Sequence, residues 1–234
     1  MTRPATAMFA LLVVLATTAA LPLTASAALR VPQIPVLGGT LQAYFNGIGE
    51  SINVNTDQDD TQSWTRTASN TTTYTIMLQN SPGAATHQIW MYNSNSGPAP
   101  VLYFLMFGNA GVLGFTTATF QPGNVMTVNR FDFDGNFLSS QVFNGVDANG
   151  FSFALTGAIG TVFTQDFRNP GGAVHALTYP GTGQNAGTWW LCWEEGNAAG
   201  PSDQDFDDEV LLMESVNPTP VSKTSWGQLK SRFR

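Results

Sequence analysis

"HQIWMYNSNSGPAPVLYFLMF", residues 87–107, sets two runs of aromatic and aliphatic residues on either side of a breaker. "HQIWMYN" (87–93) and "PVLYFLMF" (100–107) have the length and composition of strands, and "SNSGPAP" supplies the glycine and prolines of a turn. The same grammar recurs outward in both directions. "SINVN" (51–55) and "TTTYTIMLQ" (71–79) precede it; "VLGFTTATF" (112–120), "NVMTVNRFDF" (124–133), "GFSFALTG" (150–157) and "GTVFTQDF" (160–167) follow. "AVHALTYP" (173–180), "GTWWLCWEE" (187–195) and "DEVLLMESV" (208–216) close the series, with breakers such as "QPGN", "DGN" and "NPGG" between. Short strands at such spacing predict an all-β fold, an antiparallel, jelly-roll-like β-sandwich. One exception stands early: in "GTLQAYFNGIGESI" the residues Leu41, Tyr44, Phe45 and Ile48 fall at helical spacing and predict a short helix.

The ends of the chain read differently. Arg3, the apolar run "AMFALLVVLATTAALPL" and the small residues Ala25, Ser26 and Ala27 form the pattern of a signal peptide over residues 1–27. The clean apolar part falls short of the roughly 20 residues a membrane span needs. The expectation is an exported protein, periplasmic, cell-surface or extracellular, whose mature part carries no transmembrane anchor. The sandwich is expected over 28–216, followed by a proline-led linker and basic tail over 217–234. That tail holds Lys223, Lys230, Arg232 and Arg234 and no acid. Trp226, Leu229 and Phe233 give it a marginal amphipathic pattern, readable as a loose basic tail, a sorting signal or a membrane-surface contact.

Only 11% of the chain is charged. Between Ala28 and Asn217 all sixteen acids face four bases, Arg30, Arg66, Arg130 and Arg168. Such a balance excludes a nucleic-acid partner, which demands a basic surface. Cys192 is the single cysteine, so no internal disulfide forms. Between Leu191 and Trp193 it reads as a buried, inert thiol.

The acids concentrate in "PSDQDFDDEVLLMES" (201–215), directly against a segment that wants burial. Two like charges 4 Å apart repel by about 4 kcal/mol near a protein surface, so water must solvate this loop or a cation must hold it. Asp203, Asp205 and Asp207 have the alternate spacing of calcium loops, and Glu214 falls at the twelfth position of an EF-hand pattern. Strand geometry rules the EF-hand out: Asp208 and Glu214 at the two ends of a strand stand about 20 Å apart. A site between two strands is the alternative. Glu194 and Glu195 end the preceding strand, and in a hairpin they arrive at the same rim as the aspartates. The candidate calcium ligands are Glu194, Glu195, Asp203, Asp205, Asp207 and Asp208. Asp57, Asp59 and Asp60 read as plain surface, and Asp132, Asp134 and Asn136 as hairpin-turn residues.

Enzymatic chemistry finds little purchase, and no catalytic residue is expected. His87 and His175 both sit in strand patterns and read as structural, and no Gly-x-Ser-x-Gly elbow occurs. Glu194 and Glu195 are adjacent, so they point to opposite faces of a strand and do not form a glycosidase pair. Carbohydrate binding is the competing reading, because Trp64, Trp90, Trp189, Trp190 and Trp193 could offer sugar platforms on an extracellular polysaccharide or matrix. In "TWWLCW" alternation puts Trp189, Leu191 and Trp193 on one face and Trp190 with Cys192 on the other. Filling a large β core is the plainer use for these indoles.

"INVNTDQ" near the start and "WEEGNAAGPSDQDFDDEVLLMESV" near the end, with the strand–turn order between, resemble domain-of-unknown-function family 4114 of exported bacterial proteins. Many of its members end in a PEP-CTERM sorting segment. Trp193, Glu194 and Glu195 match its tryptophan–acid–acid step, and Asp203, Asp205, Phe206 and Asp208 match its closing acidic run. The resemblance covers about residues 40–216 and implies an all-β exported domain with an acidic, calcium-binding motif and no assigned activity. The chain departs from that pattern at Gly196 and at its end, where "PTPVSKTSWGQLKSRFR" replaces the family's Pro-Glu-Pro, apolar helix and arginine cluster.

Overall fold

In "TTTYTIML" every second side chain is buried: Thr72, Tyr74 and Ile76 turn inward while Thr71, Thr73 and Thr75 remain half-exposed. This period of two is what a half-buried strand requires. It recurs through a computed structural model that describes residues 39–80, 86–108, 114–195 and 203–219. The expected signal peptide and the basic tail beyond residue 219 lie outside the described residues.

The elements are α1 (Thr40–Gly47), β1 (Trp64–Arg66), β2 (Thr71–Leu78), β3 (His87–Asn93), β4 (Tyr103–Gly108), β5 (Phe115–Gln121) and β6 (Val125–Phe131). There follow β7 (Phe137–Asn144), β8 (Phe151–Gly157), β9 (Gly160–Phe163), β10 (Ala176–Pro180), β11 (Trp189–Trp193), β12 (Glu209–Glu214) and β13 (Val216–Pro218). One sheet runs β13-β1-β8-β3-β4, with β9 added against β8; the other runs β10-β11-β12-β2-β5-β6-β7. All named pairings are antiparallel, and the two sheets pack as an all-β sandwich. No helix among the described residues is long and apolar enough to cross a membrane.

The core lies between the sheets. Trp64, Phe151, Phe153 and Leu155 from one sheet meet Tyr74, Ile76, Phe120, Met126, Leu191, Trp193 and Met213 from the other. Phe153 centres it, with ring centroids 5.1 Å from Trp64 and 5.4 Å from Tyr74. A second apolar layer covers the back of the β10-β11-β12 end. Leu41 and Phe45 of α1, Ile52, Val54 and Phe206 pack there on Leu177, Tyr179, Trp190, Cys192 and Val210. "WWLCW" is therefore apolar on both faces because both are covered, as strands buried on two sides are. Burying a Phe45-sized side chain contributes about 1.5–3 kcal/mol, enough to hold a two-turn helix that would not persist alone.

Several expectations need correction. "SINVN" forms no strand: Ile52 and Val54 alternate inward, but the segment rides over the second apolar layer and turns at residues 54–56. Ile48 leaves the predicted helix face as its C-cap and is 41% exposed. "DEVLLMESV" breaks at Ser215, whose φ of 59° lies in the left-handed region, and the chain crosses to the other sheet as β13. The sandwich thus extends to Pro218, past the expected boundary at 216. Trp64–Arg66 and Phe137–Asn144 are strands that the sequence reading passes over.

Candidate metal centre

At one end of the sandwich the C-terminal ends of β2, β8 and β11 meet the N-terminal ends of β3 and β12. Pairing of Trp193 with Glu209 in the β11–β12 ladder brings Glu194 and Glu195 to the rim where the acidic run enters β12. The convergence expected from a hairpin is present. Its six acids, however, do not form one group: Glu194 and Glu195, as consecutive residues, turn to opposite sides.

Glu194 turns to the loop. A carboxylate oxygen of Glu194, of Asp203 and of Asp205 lie within 4.8 Å of one another. Oxygens bound to calcium at 2.3–2.6 Å are separated by up to about 5 Å, so one ion can touch all three. The chain is cranked to allow this. Gln204 and Phe206 take left-handed φ values of 58° and 57°, which alternates the loop so that Phe206 is buried in the second apolar layer while Asp203 and Asp205 face Glu194. The Phe206 N–H donates to Glu194 Oε2 at 3.2 Å and ties the two strands together. Asp207 is 2% exposed, and its Oδ2 has no hydrogen-bond partner among the described residues. A partnerless buried carboxylate oxygen carries a desolvation cost of several kcal/mol. Among the described residues no cationic side chain ion-pairs with Glu194, Asp203 or Asp205.

The protonation equilibria register this crowding. Burial, then the charge of Asp207 and that of Asp203, push the Asp205 carboxyl up to about 7. Asp208 is pushed up to about 6, by burial first and then by Glu194, Asp203 and Glu195, against the Glu195 N–H it accepts at 2.6 Å. That hydrogen bond makes Asp208 a clamp on the strand end; it does not join the three-carboxylate cluster.

Glu195 turns the other way, into the core, and leaves the candidate ligand set. Its Oε2 lies 2.6 Å from His87 Nε2, and Glu209 Oε2 lies 3.2 Å from His87 Nδ1. All three side chains are buried. Gln79 Nε2 donates to both Glu209 oxygens, at 3.2 and 3.0 Å, and the Ala158 N–H donates to Glu195 Oε1. An imidazolium donating to both carboxylates satisfies this geometry. Burial by itself disfavours the charge on His87, but the hydrogen bonds and charges of Glu209 and Glu195 carry it above its ordinary value. Burial raises Glu209 despite the lowering by His87 and Gln79. His87 is fully buried between two carboxylates of the facing sheet, a position that has no trace in "THQIWMY".

Gly157 makes room for this triad, because a Cβ there would overlap the Glu195 carboxylate. The carboxylate is held by both Ala158 and His87 and has nowhere to go. Gly157→Ala is expected to lower stability by about 1–3 kcal/mol, read from the urea midpoint. An unchanged midpoint would mean that Glu195 swings aside freely.

The remaining acids are accounted for locally. Asp132 accepts from the Asp134 and Asn136 N–H groups at 3.0 and 2.8 Å and builds the hairpin turn, with Gly135 at φ 81°. Asp57 accepts from the Asn53 N–H at 2.8 Å, and Asp59 bridges to Thr178 on β10. Glu214, the twelfth residue of the rejected EF-hand, stands exposed at the far end of β12. His175 lies just before β10, with Nδ1 donating to the Glu194 carbonyl at 2.9 Å. Cys192 is buried, and burial raises its thiol well above the ordinary value. Of the tryptophans, Trp64, Trp190 and Trp193 are fully buried, whereas Trp90 and Trp189 are half-buried and Trp90 lines a surface cavity with Phe104 and Phe107. The face assignment within "TWWLCW" holds: Leu191 and Trp193 enter the inter-sheet core and Trp190 with Cys192 the second layer.

No family model, no curated protein and no solved structure matches this chain. The resemblance to family 4114 rests on its motifs alone.

Proposed function

We propose that this is an exported, non-enzymatic β-sandwich protein whose Glu194, Asp203 and Asp205 cluster binds calcium, for a surface or extracellular-matrix role. The supporting observation is the set of three carboxylates, each offering an oxygen within 4.8 Å of the others. A divalent ion relieves their mutual repulsion. Export is supported by the pattern of residues 1–27. A matrix role is supported by the match between millimolar external calcium and the modest affinity expected of three protein ligands.

The test is thermal unfolding at pH 7.5 in calcium and in chelator. Calcium at about 100 times its dissociation constant stabilises by about 2.7 kcal/mol, a rise of about 5–10 °C for a domain of this size. Asp205→Asn should abolish most of the rise, and Asp134→Asn, in the hairpin turn, should leave it intact. Coincident melting curves in calcium and chelator would refute the assignment.

A further inference from the structure

Where β4 of one sheet faces β7 of the other, a surface cleft of about 360 Å³ opens, within the range of about 300–1,000 Å³ that small-ligand sites occupy. A β-bulge builds its floor. The register of β3 on β4 slips between Ile89 and Trp90, so that Ile89 pairs with Met106 and Trp90 with Phe104. Leu105 and Met106 are then both buried. Phe104 and Phe107, which plain alternation sends to opposite faces, line the one cleft with ring centroids 4.7 Å apart. Phe104 also lies against Trp90, with 5.1 Å between centroids, and Phe107 pairs with Gln88. Re-aiming a side chain in this way is what bulges do beside functional sites.

The wall is β7, whose Gln141 and Phe143 line the other side. Arg130 of β6 fastens wall to floor. Its Nε donates to Leu105 O at 2.5 Å and an Nη to Phe104 O at 2.8 Å, and its Cζ lies 4.5 Å from the centre of the Phe104 ring. The same Nη reaches Gln141 Oε1 at 3.4 Å. The acceptor end of Gln141 is thus turned to Arg130, while its Nε2 has no partner among the described residues; the Gln88 carboxamide has none at either end. No ionisable side chain lines the cleft.

We infer that this cleft is a saccharide site that takes a neutral pyranose ring of an oligo- or polysaccharide. A pyranose has an apolar C–H face, which the rings of Trp90, Phe104 and Phe107 cover. Its rim carries hydroxyls that both donate and accept, and a free carboxamide offers them an N–H and a C=O. A purely apolar ligand buries both amides unpaired. An anionic one finds no cation in the lining and an acidic domain around it. Arg130 joins wall and floor before any ligand arrives, so little ordering is left to binding.

The test is electrophoresis of the purified protein through native gels containing hydroxyethylcellulose, galactomannan, dextran or, as the anionic arm, pectate. The expected result is retardation by at least one of the three neutral polymers and free passage through pectate. Phe107→Ala, at a ring that is 47% exposed, and Gln141→Leu, which keeps the bulk and drops the amide, should each weaken retardation about tenfold with unchanged circular dichroism. Phe167→Ala, at an exposed ring outside the cleft, should leave it unchanged. Nile red fluorescence separates a saccharide site from an apolar pocket: Gln141→Leu should raise dye uptake while it lowers retardation. Free passage through all three neutral gels, retardation by pectate alone, or retardation undiminished in both cleft variants would each overturn the inference.

Discussion

His87→Ala is expected to cost about 3–5 kcal/mol at pH 7.5, a fall in melting temperature of about 10–15 °C. The cavity left by an imidazole is the smaller part of this. With His87 gone, Glu195 and Glu209 face each other in the interior without a counter-charge, and leaving a buried charge uncompensated dominates such deletions. The pH profile separates the two contributions. The carboxylates of the variant can relieve their repulsion by taking up a proton, and burial already favours the protonated form of Glu209. Below about pH 6, where His87 is charged in the folded and unfolded parent alike, the deficit relative to the parent should therefore shrink as pH falls to about 4.5. A packing defect is indifferent to pH, so a constant deficit would reduce His87 to a space-filler. Apolar replacement of all three members together should cost less than the single deletion, because a dry pocket needs no charge balance.

The triad also shows where sequence reasoning stops. Alternation and turn chemistry are local signals, and they were sufficient for the sandwich, for α1 and for the two faces of "WWLCW". They were sufficient as well for the meeting of Glu194 with Asp203 and Asp205, since a hairpin is a local object. His87 and Glu209 come from strands of different sheets and Glu195 from just beyond β11; Glu195 stands 108 and Glu209 122 positions from His87 in the chain. Nothing in "THQIWMY" or "WWLCWEE" encodes that meeting. Glu195 was legible as a rim acid but not as a core one, because strand alternation gives opposite faces without naming what covers each. The missed β7 has the converse cause. Only Phe143 of it packs on the core, so "FLSSQVFN" lacks the apolar–polar contrast by which strands are recognised. "SINVN" has that contrast and forms no strand, because its apolar residues pack on the second layer without a ladder partner.

Calcium should reverse the pH dependence of stability between about pH 4 and 7. In chelator, the folded state binds protons more tightly than the unfolded chain at Asp205, held at about 7, and at Asp208, held at about 6. A carboxyl raised in this way contributes stability that is complete below its unfolded value near 4 and is lost as pH rises through the folded value. His87 and Glu209, both raised, act with the same sign, His87 over the range above its unfolded value of about 6.5. Glu50 opposes them: the Thr182 and Asn185 hydrogen bonds outweigh burial and lower its carboxyl, so its contribution is lost as pH falls below about 4.5. The metal-free domain should thus be most stable near pH 4–5 and lose about 3 kcal/mol by pH 7.5, after discounting for the solvent that reaches Asp205 and Asp208. Most acidic domains behave in the opposite way, gaining stability as their paired carboxylates ionise. An ion that needs Asp205 deprotonated competes with the proton, so saturating calcium should flatten the slope or invert it. Differential scanning calorimetry at half-unit pH steps, with and without calcium, reads this directly. A melting temperature that climbs from pH 4.5 to 7.5 in chelator would mean that solvent already neutralises the rim, leaving the cation nothing to relieve.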